Sequence, residues 1–160
     1  MRKIINPFVK QPGYNCFGCS PDNPLGLKME FAEEGDNIVS RWKAQSDYQG
    51  WNGVLHGGIQ QTLMDEIASW VVFTKLKTGG VTSRMESRFK KAVQVASGDI
   101  ITLHARHINT RHNLAYIHVQ LFDNQMQLCT EADVQYFTFP EKAAKTLLNY
   151  PGYHSFFEIS

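Results

Sequence analysis

The sequence predicts an α+β fold: one domain in which an antiparallel sheet wraps a single long central helix. Three observations carry this. An apolar run over about residues 56–76 is too long and too continuous for a strand. Four runs of alternating apolar and polar residues follow it, separated by turn residues, and read as a meander of four strands. The chain has 160 residues, enough for one substantial core, and no internal repeat, low-complexity segment or linker divides it. A helix apolar nearly all round and strands apolar on one face satisfy each other when the sheet packs on the helix.

The elements read in order as follows. Residues 1–25, rich in Pro, Gly and Asn, form an irregular arm; residues 26–139 are the core and 140–160 a C-terminal tail. Residues 27–31 and 37–43 are two short strands around the turn Glu34-Gly35-Asp36. The helix follows and stops at Thr78-Gly79-Gly80, a glycine terminus. In the next strand Val81, Ser83, Met85, Ser87 and Phe89 share one face. The strand from residue 100 points Ile101, Leu103 and Ala105 inward. A third groups Ala115, Ile117, Val119 and Leu121, and a fourth, 126–139, groups Leu128, Ala132 and Val134. Turns lie at Ser97-Gly98-Asp99, residues 109–113 and Asp123-Asn124. A short helix at 142–148 precedes Tyr150, Tyr153, Phe156 and Phe157, which cover the domain or a neighbouring subunit.

Composition narrows the function classes. A net charge of +1 gives no basic bias toward nucleic acid. No apolar run reaches the ~18 residues of a membrane span, and the first residues lack a signal-peptide apolar region. Three cysteines, an odd number, fit a reducing compartment, so the expected location is cytoplasmic.

The chemistry concentrates in His56-Gly57-Gly58-Ile59-Gln60-Gln61-Thr62-Leu63-Met64-Asp65-Glu66. The first amides of a helix lack intrahelical partners and attract negative charge, and glycines leave that approach open. Asp65 is a carboxylate within an apolar helix, costly unless something local uses it. An oxyanion-binding helix start and such a carboxylate point to acyl-group hydrolysis. The two are eight residues apart, ~12 Å along the helix axis, too far to share one carbonyl. An antiparallel copy of the helix closes that gap, which implies a dimer with two equivalent sites. Glu66 points ~100° away and reads as a salt-bridge or interface residue. His56 reads as a residue that orients the loop through a hydrogen bond, with a general base as the alternative.

The string from Trp51 to Glu66 resembles the central-helix motif of hotdog-fold acyl-CoA thioesterases, in their PaaI-like branch. Cys16-Phe17-Gly18-Cys19-Ser20-Pro21-Asp22-Asn23-Pro24-Leu25-Gly26-Leu27 resembles the lead-in of many members, and the likeness spans roughly residues 14–139. The resemblance implies that the Gly57 N–H polarises a thioester carbonyl. It also implies that Asp65 of the partner protomer acts as general base or nucleophile. Asn52 and Ser83 are then positioning residues, Ser83 bonding the water or Asp65 from the next strand. Many relatives carry Asn six residues before the motif His, where this chain has Gly50.

The substrate is expected to be an acyl-CoA, with no separate cofactor. Arg84, Arg88, Lys90 and Lys91 are candidates for its phosphates, and Leu55, Gly58, Ile59 and Met64 for its acyl pocket. The assembly expected is a homodimer or a dimer-of-dimers tetramer. A non-catalytic acyl-CoA-binding domain is the alternative, favoured by Gly50. A hydratase is disfavoured, because Asp47 precedes His56 by nine residues and the better-placed acid follows it. Cys16 and Cys19 have the spacing of half a zinc site, but no second pair follows at knuckle spacing. The expectation is a tight turn with two free thiols and no metal.

Overall fold

The computed structural model describes residues 1–158. A seven-stranded antiparallel sheet curls around one helix. The strands are β1 (Arg2–Ile4), β2 (Phe31–Glu34), β3 (Asn37–Lys43), β4 (Gly80–Phe89), β5 (Ile100–Arg111), β6 (Leu114–Phe122) and β7 (Leu128–Thr138). The helices are α1 (Gly57–Thr74) and α2 (Glu141–Leu147). Spatial order is β1-β2-β3-β5-β6-β7-β4. This is the helix-in-sheet architecture expected, the hotdog fold. No helix among the described residues is long and apolar enough to cross a membrane.

Four details depart from the sequence reading. The strands after α1 are not a simple meander, because β4 pairs with β7 at the sheet's end rather than with β5. The connector from β4 to β5 causes this: Val93 O accepts from Leu55 N at 3.0 Å, and Val95 N donates to Gly53 O at 2.9 Å. These bonds tie the connector to the loop before α1, and the chain re-enters the sheet beside β3. The first core strand is Phe31–Glu34, not 27–31. Leu27 N and Met29 N instead donate to Phe17 O and Gly18 O, at 2.8 and 2.9 Å, so this segment pairs with the cysteine loop. Within the arm, Arg2–Ile4 pairs with β2.

The third departure is the end of α1. The helix stops at Thr74, and the left-handed residue beyond it is Lys77, at φ 57°. Gly79 and Gly80 are small for another reason: a Cβ on Gly80 would lie 2.6 Å from Phe137 O, so the glycine lets β4 start against β7. The fourth is exposure of the helix. Leu63, Met64, Ile67, Ala68, Trp70, Val71 and Val72 are buried. Gly58, Gln61, Thr62, Asp65 and Ser69 form a stripe that stays open or half-open in the single chain.

Most inward faces agree with the alternation: Ile101, Leu103 and Ala105 of β5, and Ala115, Ile117, Val119 and Leu121 of β6, are buried. In β7, Ala132 and Val134 are buried, but a register shift at its start leaves Leu128 half-buried and turns Cys129 into the core. The tail covers its own domain. Phe156 is fully buried, with its ring 5.7 Å from Trp70, 5.8 Å from Phe8 and 5.9 Å from Phe73. Ile5 N donates to Phe156 O at 2.8 Å, and the Tyr150 hydroxyl to Phe73 O at 2.8 Å. Arm, tail and helix therefore share one aromatic cluster. Phe156→Ala is expected to lower unfolding free energy by about 3–5 kcal/mol, the usual loss for a buried Phe. Urea denaturation checks this, and a loss below about 1 kcal/mol would show the tail to be peripheral.

Candidate active site

The start of α1 is set by a residue that caps it. His56 is the N-cap, and its Nδ1 accepts from Gly58 N at 2.9 Å. That bond uses the Gly58 amide and the Nδ1 lone pair together. His56 is thus the loop-orienting residue. The Gly57 N–H meets no acceptor among the described residues, so it is the amide left for a ligand oxygen. A Cβ at Gly57 would stand 3.5 Å from the Phe89 ring, which closes over this end of the helix.

Asp65 lies two turns further along the open stripe. The Thr82 hydroxyl donates to its Oδ1 at 2.7 Å, and the Tyr136 hydroxyl donates to the same oxygen at 2.9 Å. Tyr136 also donates to the Asp65 backbone oxygen at 2.9 Å. Oδ2 accepts nothing from the described residues. Burial, reinforced by the charge of Asp65, pushes the Tyr136 phenol well above the usual tyrosine range, so it remains a donor. The carboxylate is held by one oxygen and free at the other.

Thr82 takes the place that strand alternation assigns to Ser83. The register of β4 on β7 slips between Thr82 and Arg84: Thr82 faces Tyr136, Arg84 faces Gln135, and Ser83 is the extra residue. The bulge turns Thr82 toward the helix. Ser83 bonds Gln135 instead, donating to its backbone oxygen at 3.1 Å and accepting from Nε2 at 2.9 Å. No periodicity in the sequence reveals such a slip. Tyr136 was missed as well, although it shares parity with Ala132 and Val134 and that signal could have placed it inward.

The other predicted residues separate. Asn52 is exposed in the turn before the helix and makes no side-chain hydrogen bond among the described residues. At Gly50 a Cβ would lie 3.3 Å from the His56 ring, so the backbone there packs against the cap. Leu55 and Met64 are fully buried core rather than pocket lining, whereas Gly58 is exposed and Ile59 half-buried. Arg84 and Arg88 are exposed and share Glu86, at 3.3 and 3.7 Å. Lys90 pairs with Glu131 and Lys91 with Asp123. A cavity of about 740 Å³ lies elsewhere, between the arm and β2, and touches none of the predicted catalytic residues.

Glu66 does not make the salt bridge that the sequence suggested for it. It has no cationic partner among the described residues and turns inward to the cysteine loop. Trp70 Nε1 donates to its Oε1 at 3.1 Å, and Cys16 Sγ donates to Oε2 at 3.6 Å. Burial pushes the Glu66 carboxyl up to about 7. A hydrogen bond from Cys19, aided by the Gly18 and Cys19 amides, holds the Cys16 thiol down to about 5.

A model of the thioesterase superfamily matches residues 52–130. Searching curated protein sequences returned no match. Among solved structures, the chain is similar to a Streptococcus mutans protein bound to acetyl-CoA. Identity there is 18% and the TM-score 0.64, covering 71% of this chain and 90% of that one. It is similar to a hypothetical thioesterase from Streptococcus pneumoniae with coenzyme A, at 22% identity, TM-score 0.64, and 71% and 87% coverage. The Escherichia coli PaaI protein from the phenylacetic acid degradation operon gives 13% identity, TM-score 0.64, and 72% and 82% coverage.

The cap is open to a direct test. His56→Ala is expected to lower stability by ~1 kcal/mol, as loss of an N-cap does, measured by chemical denaturation. Unchanged stability would mean that water replaces the imidazole without loss.

Proposed function

Because the chain belongs to the thioesterase superfamily, we propose that it hydrolyses acyl-CoA thioesters to the free acid and CoA. One observation carries this reading: Asp65, on the open stripe of α1, is gripped at Oδ1 by Thr82 and Tyr136 while Oδ2 accepts nothing from the described residues. In the proposed reaction, Gly57 N–H and the helix dipole hold the carbonyl oxygen as negative charge develops. Oδ2 of Asp65 takes a proton from the attacking water or attacks the carbonyl itself. His56 holds the helix start, and Thr82 and Tyr136 orient the carboxylate.

One chain does not supply both groups to one carbonyl, since Gly57 and Asp65 are ~12 Å apart along the axis. The working unit is a homodimer with helices antiparallel, able to pair further into a tetramer. Two features support it. The stripe Gly58, Gln61, Thr62, Asp65, Ser69 has no cover in the single chain, and β4 ends the sheet with Val81 and Phe89 exposed. The acyl chain would lie between the subunits, beside Gly58 and Ile59. Arg84 and Arg88 offer two cations for one carboxylate, and exposed pairs of this kind, worth ~0–1 kcal/mol, yield readily to a CoA phosphate. The hydrolysis as drawn uses no metal, and the odd cysteine count supports a cytoplasmic setting.

The second reading, a non-catalytic acyl-CoA binder, is favoured by Gly50, whose backbone packs against His56 where relatives carry an amide side chain. Release of free CoA from a panel of acyl-CoAs separates the two. Binding without turnover across the panel would establish the binder. With a substrate in hand, Asp65→Asn is expected to lower kcat by ~10² or more. Thr82→Val should reduce kcat more than Ser83→Ala; the reverse order would remove the bulge from the mechanism.

Sharing of the site between protomers has its own measurement. Asp65→Asn and Gly57→Val chains, each inactive, are mixed in equal amounts with subunit exchange verified. Random pairing leaves one intact site in half the dimers, about a quarter of wild-type activity. No recovery would rule out a site built from two chains.

A further inference from the structure

On the side of α1 away from Asp65 lies a cluster that the hydrolytic reading does not use. We propose that Cys16, Cys19 and Glu66 bind a zinc-like divalent cation that fastens the N-terminal arm to the central helix. The inference is independent of the thioesterase reading. Its first support is geometric: one ligand atom from each residue lies within 4.8 Å of the other two. Cys16 Sγ and Glu66 Oε2 are 3.6 Å apart. A tetrahedral zinc with Zn–S of ~2.3 Å and Zn–O of ~2.0 Å sets sulfur and oxygen about 3.5 Å apart. The two ligands already stand at that separation.

The surroundings orient the ligands as outer partners of a metal site do. Trp70 Nε1 holds Oε1 of Glu66, leaving Oε2 toward the sulfurs. Tyr14 OH lies 2.8 Å from Cys19 Sγ and is itself held by Asn6 Nδ2 at 3.1 Å. Gly18 is the condition for the approach, because a Cβ there would overlap the Glu66 carboxylate. Loop and helix are shaped to bring a carboxylate onto two sulfurs.

Charge supplies the third support. Glu66 forms no ion pair among the described residues, and a half-buried carboxylate turned inward without a cation is costly. A divalent ion supplies the missing cation. Cys19 gives up its proton on binding, and the resulting two-thiolate, one-carboxylate site carries a net charge of −1 with the ion in place. Water takes the fourth position, on the side of half-exposed Cys16. Asp65 and Glu66 are adjacent, ~100° apart around the helix, so the ion stands clear of the Asp65 carboxylate and its role is structural. The expectation of a metal-free turn rested on knuckle spacing; Glu66, far along the chain, is the ligand that spacing does not reveal.

The test uses the full chain, reduced, stripped with a chelator and titrated with Co²⁺ as the probe. One cobalt per chain is expected, with a thiolate-to-cobalt charge-transfer band that Zn²⁺ abolishes by displacement. Zn²⁺ should raise the melting temperature of the wild type and leave that of a Cys16→Ser, Cys19→Ser double variant unchanged. Should the double variant fail to fold, Cys16→Ser alone serves, since that residue is half-exposed. Glu66→Gln should keep the band but weaken binding about tenfold or more. Absence of cobalt uptake by the reduced protein overturns the proposal, and so does uptake indifferent to the cysteine or Glu66 changes. A Cys16–Cys19 disulfide in the purified protein whose reduction restores no uptake overturns it as well.

Discussion

A helix has a full circumference to cover, and one curved sheet covers only part of it. The organisation of this molecule follows from that constraint. The sheet takes the side of α1 that carries Leu63, Ile67 and Val71. A second side, around Trp70 and Phe73, is closed by rings from the two ends of the chain, Phe8 from the arm and Phe156 from the tail. The third side, from Gly58 to Ser69, receives little cover from the described residues of its own chain. Core, chain ends and reactive groups each belong to one of these sides.

What the sequence reveals and what it hides divide along the same lines. Elements with long regular periods were legible: α1, and the inward faces of β5 and β6, whose apolar residues repeat at helical or strand spacing. The glycines before Ile59 and the acid within the apolar run marked where the proposed site lies. Thr82 was not legible, because a bulge inserts one residue without a compositional mark and reverses the parity of everything before it. The β4–β7 pairing was hidden too, since hydrogen bonds in the connector decide it rather than any property of β4. The partnership of Glu66 with Cys16 and Cys19 joins segments too distant in sequence for a spacing rule.

Asp65 and Glu66 show how little of a residue's character comes from its type. Neighbours on one helix, they differ by the angle at which they leave it. One meets two hydroxyl donors beside an open stripe; the other meets an indole N–H and two sulfurs under a loop. The same backbone rotation that separates them lets one turn of helix present a carboxylate to the open stripe and another to the cysteine loop. Tyr136 and Trp70 are the large side chains that hold the two carboxylates in those settings.

The fit between Gly18 and Glu66 ties two distant codons together. Glu66 occupies the volume that any side chain at position 18 would need. A larger residue at 18 fits only if the Glu66 side chain swings aside, away from the Trp70 indole and the Cys16 sulfur. A substitution in the loop would therefore be felt first on the helix, as the loss of those two contacts.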